Sequence, residues 1–380
     1  MVKTGLMTLL EKDELKGNRI GLVINHTSVT NDVQLSVDRL KESGFNIVAV
    51  FSPEHGFGGH VKEGEHIAHS TDKRTRLPIY SLYGANKNPK KEWLDSIDAL
   101  VFDIQDIGVR FYTYIYTLAN TMQAAGRCGL NYIVLDRPNP ITGSRIEGNL
   151  LSFAFSSFIG NYRLPIRHGM TVGELALYMN GEFGFNTNLT IIPMEGWSRG
   201  MWFDETGLVW VPPSPNAPTL EMASVYPGTC LFEGTNVSEG RGTTKPFEWI
   251  GAPWIDGFIW KEELKTYQLK GVILRPISFQ PTTSKYNGEL CHGLQVHVED
   301  RNTYQPIRTA CALIETLYTL YPNDFQWLQI KDTRFMIDLI MGTDSFRNQI
   351  TSKRPISDWL DVEEKQLDQF LDVRSKYLLY

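Results

Sequence analysis

Glu54 and His55 stand just beyond an apolar run, Ile47-Val48-Ala49-Val50-Phe51, after a break at Ser52-Pro53 and ahead of glycines at 56, 58 and 59. A carboxyl group at the exit of a buried strand is held rigidly, and it opens toward the crevice where α/β proteins bind ligands. A general acid or base requires that placement. The plainer alternative is that Glu54 caps a following helix while His55 packs locally.

Other chemistry-bearing residues follow apolar runs in the same way. Asp103, Gln105 and Asp106 close the run Ala99 to Ile104, with Arg110, Tyr112 and Tyr114 just behind, and Asp136 and Arg137 close the run Tyr132 to Leu135. Carboxylates, an arginine and aromatic rings on one rim suit a carbohydrate, whose hydroxyls take hydrogen bonds and whose CH faces stack on rings. An Asp103–Arg137 ion pair bracing the rim would explain those two residues without a ligand. Further on, Glu233, Asn236, Glu239, Arg241 and Thr243 lie among glycines and small residues that let a backbone approach a ligand closely. His55, His60, His66 and His69, with Asp72, carry zinc-type donors. Their spacing matches no helical H-x-x-x-H pair, and no metal ligand is assigned.

The elements that must position these residues alternate. Arg19 to Asn25, Ile47 to Phe51, Ile79 to Leu82, Ala99 to Ile104 and Tyr132 to Leu135 read as buried strands. Helices are expected after Asp32, with Gly44 as a stop, and around Ile115, Leu118, Ala119 and Met122. Such alternation predicts an α/β fold with a Rossmann-like open parallel sheet over residues 1–150. The turn after the first strand, INHTSV, has no G-x-G-x-x-G, and no P-loop occurs, so no nucleotide cofactor is expected. Residues 151–380 read as a second, smaller α/β lobe. It opens with a capping box at Thr171–Glu174 and a strand at Leu189 to Pro193. A long Gly/Pro-rich, aperiodic stretch over 210–253 then reads as a substrate loop system, with the cleft between the lobes. Strands at Gly271 to Phe279 and Leu294 to Val298, a helix around Ile307 to Leu317 and a terminal helix from Trp359 to Tyr380 complete it.

The chain has 380 residues, 42% hydrophobic and 21% charged, with a net charge of −6. It is long enough for two lobes and lacks a basic footprint for nucleic acid or anionic lipid. Four separated cysteines make neither a zinc knuckle nor a disulfide scaffold. No run is long enough to span a bilayer, and the first residues combine acidic and apolar side chains without a small-residue cleavage site. The expectation is therefore a cytoplasmic protein, or a secreted one if a leader has been removed.

The segments FSPEHG at Phe51, LVFDIQDIGVRFYTYIYT at Leu100, LDRPNP at Leu135, RHGMTVGELA at Arg167, PSPNAPT at Pro213, YPGTCLFEGTNVSEGRGTTKPFEWIGAP at Tyr226 and LCHGLQVHV at Leu290 together resemble the NamZ-type exo-β-N-acetylmuramidases. This glycoside hydrolase family was formerly a domain of unknown function. The resemblance implies a Rossmann-like lobe joined to a smaller α/β lobe, with the active site between them. It also implies release of N-acetylmuramic acid from the non-reducing end of peptidoglycan fragments, so the partner expected is a muropeptide or disaccharide. The glutamate of the PEHG motif falls on Glu54, and the other motifs add His168, Asn216 and His292 as substrate-binding candidates.

The chemistry fits. Glycoside cleavage needs a proton for the leaving oxygen and stabilisation of an oxocarbenium-like centre, for which two carboxyl groups are usual. Glu54 would be the first, with Glu239 or Glu233 as its partner, unless the substrate's own 2-acetamido carbonyl is the nucleophile. The lactyl carboxylate of muramic acid calls for a bidentate arginine, Arg110 or Arg241. Two other readings are a metal-dependent amidase or deacetylase using the histidine-rich loop, and a non-catalytic amino-sugar-binding protein.

Overall fold

Strands form where the apolar runs were expected, because a parallel strand covered on both faces needs a continuous apolar sequence rather than an alternating one. The computed structural model describes residues 1–12, 14–59, 70–84, 86–330 and 334–380. Its first nine strands are β1 (Ile20–Ile24), β2 (Ile47–Ser52), β3 (Ser70–Thr71), β4 (Pro78–Ser81), β5 (Ala99–Asp103), β6 (Asn131–Leu135), β7 (Glu147–Leu150), β8 (Pro165–Arg167) and β9 (Asn188–Ile192). Seven make one sheet in the order β3-β4-β2-β1-β5-β6-β9. All its pairings are parallel except the edge pair β3–β4. Leu22 of β1 sits in register with Val50 on one side and Val101 on the other. The winding direction reverses at β1, so the loops after β1, β2 and β5 converge at a topological switch point.

The expected lobe boundary at residue 150 is corrected by β9, which pairs with β6 over five residues from Asn131↔Asn188 to Leu135↔Ile192. The first lobe thus runs past Ile192 and includes the helix Val172–Glu182 that precedes β9. Thr171 and Glu174 form the reciprocal capping box read from the sequence.

The stretch 210–253 is also more ordered than its composition indicates. It contains the helix Leu220–Thr229, whose N-cap Thr219 accepts from the Met222 amide at 3.2 Å, and β10 (Trp249–Ala252). Pro227 and Gly228 sit in the last turn of that helix. A Cβ on Gly228 would fall 2.0 Å from the Pro306 carbonyl oxygen. The glycine therefore reports a close crossing with the helix Pro306–Leu320 rather than a loop. β10 joins β11 (Val272–Phe279) and β12 (Cys291–Val298) in an antiparallel sheet ordered β10-β12-β11. The terminal helix covers Ile356–Ser375, short of the expected Tyr380. The last residue instead returns to the first lobe, where the Tyr380 hydroxyl donates to Asp136 Oδ2 at 2.7 Å. One apolar core runs through both lobes, from Phe51 and Phe102 by way of Tyr112, Tyr226 and Phe247 to Trp260 and Ile314.

Candidate active site

Glu54 lies two residues beyond β2 and is 8% exposed. It caps no helix: the backbone turns at Glu54-His55, with His55 in the left-handed region at φ 68°. A non-glycine residue holds that conformation only where its surroundings impose it. Nearby, Gly59 packs so tightly against His26 that a Cβ would fall 2.0 Å from the imidazole ring. Glu54 Oε2 accepts the Thr113 hydroxyl at 2.7 Å.

The segment after β9 closes over this strand exit. Pro212 offers its carbonyl to His26 Nε2 at 2.6 Å, Pro213 offers its carbonyl to the Tyr114 hydroxyl, and Ser214 faces the Tyr112 hydroxyl. Tyr112 and Tyr114 stand edge to face, 5.0 Å between centroids. Burial pushes both phenols upward, and the Glu54 carboxylate adds to the rise. They are neutral donors at any working pH. Tyr226 of the second lobe meets Tyr112 at 6.1 Å, and Phe247 meets Tyr226 at 4.7 Å. The Arg241 guanidinium lies 5.0 Å over the Phe247 ring.

Arg241 anchors a four-charge cluster. Its Nη2 is 2.6 Å from Glu233 Oε1 and its Nε is 3.2 Å from Glu239 Oε1, while Lys285 Nζ is 2.8 Å from Glu239 Oε2. Glu239, 2% exposed, is gripped by two cations and serves as their counter-ion. Glu233 is more open, at 23% side-chain exposure, and its carboxyl is raised by burial and by the neighbouring Glu239 charge. A cavity of about 700 Å³ beside the cluster is lined by Asn216, Arg241, Thr243, Trp249, Gln280 and Thr283. Asn216 is two residues from Ser214, so the segment that faces Tyr112 continues into the wall of this cavity.

Residues 20–221 match the N-terminal domain and residues 224–380 the C-terminal domain of the exo-beta-N-acetylmuramidase NamZ. The chain belongs to the NamZ family. It is 46% identical to the peptidoglycan beta-N-acetylmuramidase NamZ of Bacillus subtilis (strain 168), over all of this chain and 91% of that protein. Two crystal structures of DUF1343 family proteins from Bacteroides fragilis NCTC 9343 share the fold over all of this chain and 99% of each. The first has a TM-score of 0.92 at 37% identity, the second 0.81 at 31%.

Within this NamZ-family fold, several residues expected at the site serve the scaffold instead. Arg110 is fully buried and donates to the carbonyls of Asn149, Leu164, Ile340 and Met341 at 2.7 to 3.1 Å. Its donors staple the lobes together, so the lactyl role considered for it is withdrawn. Asp103 and Arg137 form the rim ion pair, Arg137 Nε to Asp103 Oδ1 at 2.6 Å. Gln105 Nε2 bridges the Asp106 and Pro138 carbonyls, both at 2.8 Å. Asp136 accepts from the Arg137 and Gly173 amides and from the Thr171 and Tyr380 hydroxyls, which leaves it no role with a ligand. Asn236 pins the chain at Asp324 and Gln326.

Asp106 and His168 are buried side by side, Nε2 to Oδ2 at 3.8 Å. Burial raises Asp106 to about 7 and lowers His168 to about 3. His292 binds Ser278 at 2.8 Å and lines a different cavity, of about 470 Å³, with Asp256 and Arg275. A small crevice of about 20 Å³ is bordered by Thr27, Asn31, Gln105 and Arg137.

His60, His66 and His69 lie outside the described residues. Among the described residues, no three His, Cys, Asp or Glu side chains are grouped to hold a metal, and Asp72 instead accepts from the Thr75 amide at 2.9 Å. No described helix is long and apolar enough to cross a membrane.

Thr113, Ser214, Tyr226, Phe247 and Lys285 were missed in the sequence. Thr113 lies in the run FYTYIYT with nothing to single it out, and an isolated lysine in TTSKYNG carries no signal at all.

Proposed function

We infer that this chain is an exo-acting β-N-acetylmuramidase that removes N-acetylmuramic acid from the non-reducing end of peptidoglycan fragments. The observation that carries this reading is Glu54, buried at the exit of β2 with one carboxyl oxygen anchored by Thr113. The full-length relationship to a peptidoglycan β-N-acetylmuramidase supports it.

Glu54 acts as the general acid on the glycosidic oxygen. Glu233, whose proton affinity is raised, is the better second carboxyl, because Glu239 is tied up by Arg241 and Lys285. Where the acetamido carbonyl is the nucleophile, Glu233 steadies the developing charge instead. Arg241, on the cavity wall, receives the lactyl carboxylate, and Asn216 and Thr243 beside it take sugar hydroxyls. Tyr112 and Tyr114, neutral and aromatic, form the base of the site next to Glu54. His55 holds the turn that presents it.

The substrate is a muropeptide or disaccharide rather than intact cell wall, met in the cytoplasm. Four unpaired cysteines, three of them buried, favour a reducing compartment, and cell fractionation tests that point. The activity itself is tested by incubating the protein with a chromogenic N-acetylmuramic acid β-glycoside beside its N-acetylglucosamine counterpart. Release from the first is expected; no release from either removes the reading.

A further inference from the structure

Thr113 occupies the N-cap of the fifteen-residue helix Tyr114–Cys128, yet its side chain makes no capping hydrogen bond. The threonines at two comparable positions behave in the ordinary way: Thr171 accepts from the Glu174 amide and Thr219 from the Met222 amide. A hydroxyl that caps a helix end typically stabilises it by about 1 kcal/mol, so directing it elsewhere forgoes a local gain. Thr113 directs it to Glu54 Oε2 at 2.7 Å. That is the one hydrogen bond Glu54 makes among the described residues, and Oε1 is not among the buried side-chain atoms left without a partner.

The geometry points to Thr113 as the positioning residue of the reaction. Its hydroxyl holds one oxygen of Glu54, fixing the plane of the carboxyl group so that Oε1 is the oxygen that carries and delivers the proton. The inference rests on the reading of Glu54 as the general acid. A carboxyl group has two oxygens and a freely turning final torsion, and without an anchor the proton is presented in several directions. A single hydrogen bond on Oε2 removes that freedom while leaving Oε1 to carry the proton. The helix start supplies a rigid mount, since Tyr116 and Thr117 bond their amides to the Thr113 carbonyl at 3.0 and 3.2 Å. Because the side chain takes no part in that capping, changing it leaves the helix intact.

The test compares Thr113→Val, which keeps the shape and deletes the hydroxyl, with Thr113→Ser, which keeps the hydroxyl. On the chromogenic N-acetylmuramic acid glycoside, Thr113→Val is expected to lower kcat about ten- to a hundredfold. KM and melting temperature should stay near wild type, and Thr113→Ser should recover most of the loss. In the double variant Glu54→Gln/Thr113→Val, turnover should equal that of Glu54→Gln alone, because Thr113 acts only through Glu54. Turnover of Thr113→Val within twofold of wild type overturns the inference. So does a serine variant as slow as the valine one, or a double variant slower than Glu54→Gln by the full valine factor. If Glu54→Gln itself remains active, it is the general-acid reading that has failed, and the two failures are told apart.

Discussion

The Tyr114 hydroxyl donates to the carbonyl of Pro213, 99 residues further along the chain. Through this bond the helix start that carries Thr113 also holds the segment leading to Asn216. The helix start beside Glu54 is thereby tied to the segment that continues into the cavity wall.

Glu54→Gln removes the transferable proton while keeping an acceptor for Thr113. General acid catalysis typically contributes roughly a hundred- to ten-thousandfold, so a fall of that size in kcat is expected, with an unchanged melting curve. Steady-state rates on the chromogenic glycoside and a thermal melt check it; near-wild-type turnover would take Glu54 out of the mechanism.

The two second-lobe glutamates should part company. Glu239→Gln leaves Lys285 and Arg241 partly buried with one carboxylate between them, and a loss of about 3 kcal/mol in stability is expected by denaturant titration. Glu233→Gln, at a more open position, should fold normally and lose about a hundredfold in turnover if Glu233 serves acid–base chemistry. The opposite pattern would make Glu239 the working group.

Arginines 110 and 241 give a second contrast. Arg110→Met removes a donor from four buried carbonyl oxygens, of which those of Leu164 and Met341 keep another, and should destabilise the fold by about 3 kcal/mol. Arg241→Ala should act on specificity instead. With the wild-type enzyme, N-acetylmuramic acid glycosides are expected to be turned over at least about a hundredfold more efficiently than N-acetylglucosamine glycosides. That ratio should shrink in Arg241→Ala and recover only in part in Arg241→Lys, which cannot make the forked pair. Equal wild-type efficiency on the two sugars would leave Arg241 as a wall residue.

Asp106 and His168 set opposing pH dependences. Asp106 is raised from 3.8 to about 7, so its stabilising protonated form is fully present below about pH 4 and its contribution is lost as pH rises through 7. His168 is lowered from 6.5 to about 3 by burial, with Arg374 and Arg167 adding to the fall. Its contribution is fully present above about pH 6.5 and lost as pH falls through 3. Between pH 4 and 6.5 the folded state gains a proton at one group and declines one at the other, and the two slopes offset. Asp106→Asn should unmask the histidine, making stability climb with pH by up to about 1.4 kcal/mol per unit across that window. His168→Gln should tilt the curve the other way. Parallel curves for wild type and both variants, from denaturant titrations at several pH values, would refute the pairing.

The sequence alone determined six of the seven strands of the large sheet, all but the polar two-residue edge strand β3, together with the helix after Thr171 and the exit on which Glu54 stands, because a buried parallel strand is apolar and ends where polarity begins. It also carried the family resemblance, which rests on residues in both lobes. It could not decide which polar side chains face a ligand. Arg110, Asp136 and Asn236 look as chemical as Arg241 and Glu233, yet their donors and acceptors are taken up by carbonyls, amides and hydroxyls up to 244 residues away. Whether a buried polar group serves the scaffold or the site depends on which backbone groups need a partner when distant segments meet. Lys285 joined Glu239, β9 joined β6 and Thr113 turned from its own helix to Glu54 for that reason. Only the packed chain brings those partners within bonding distance.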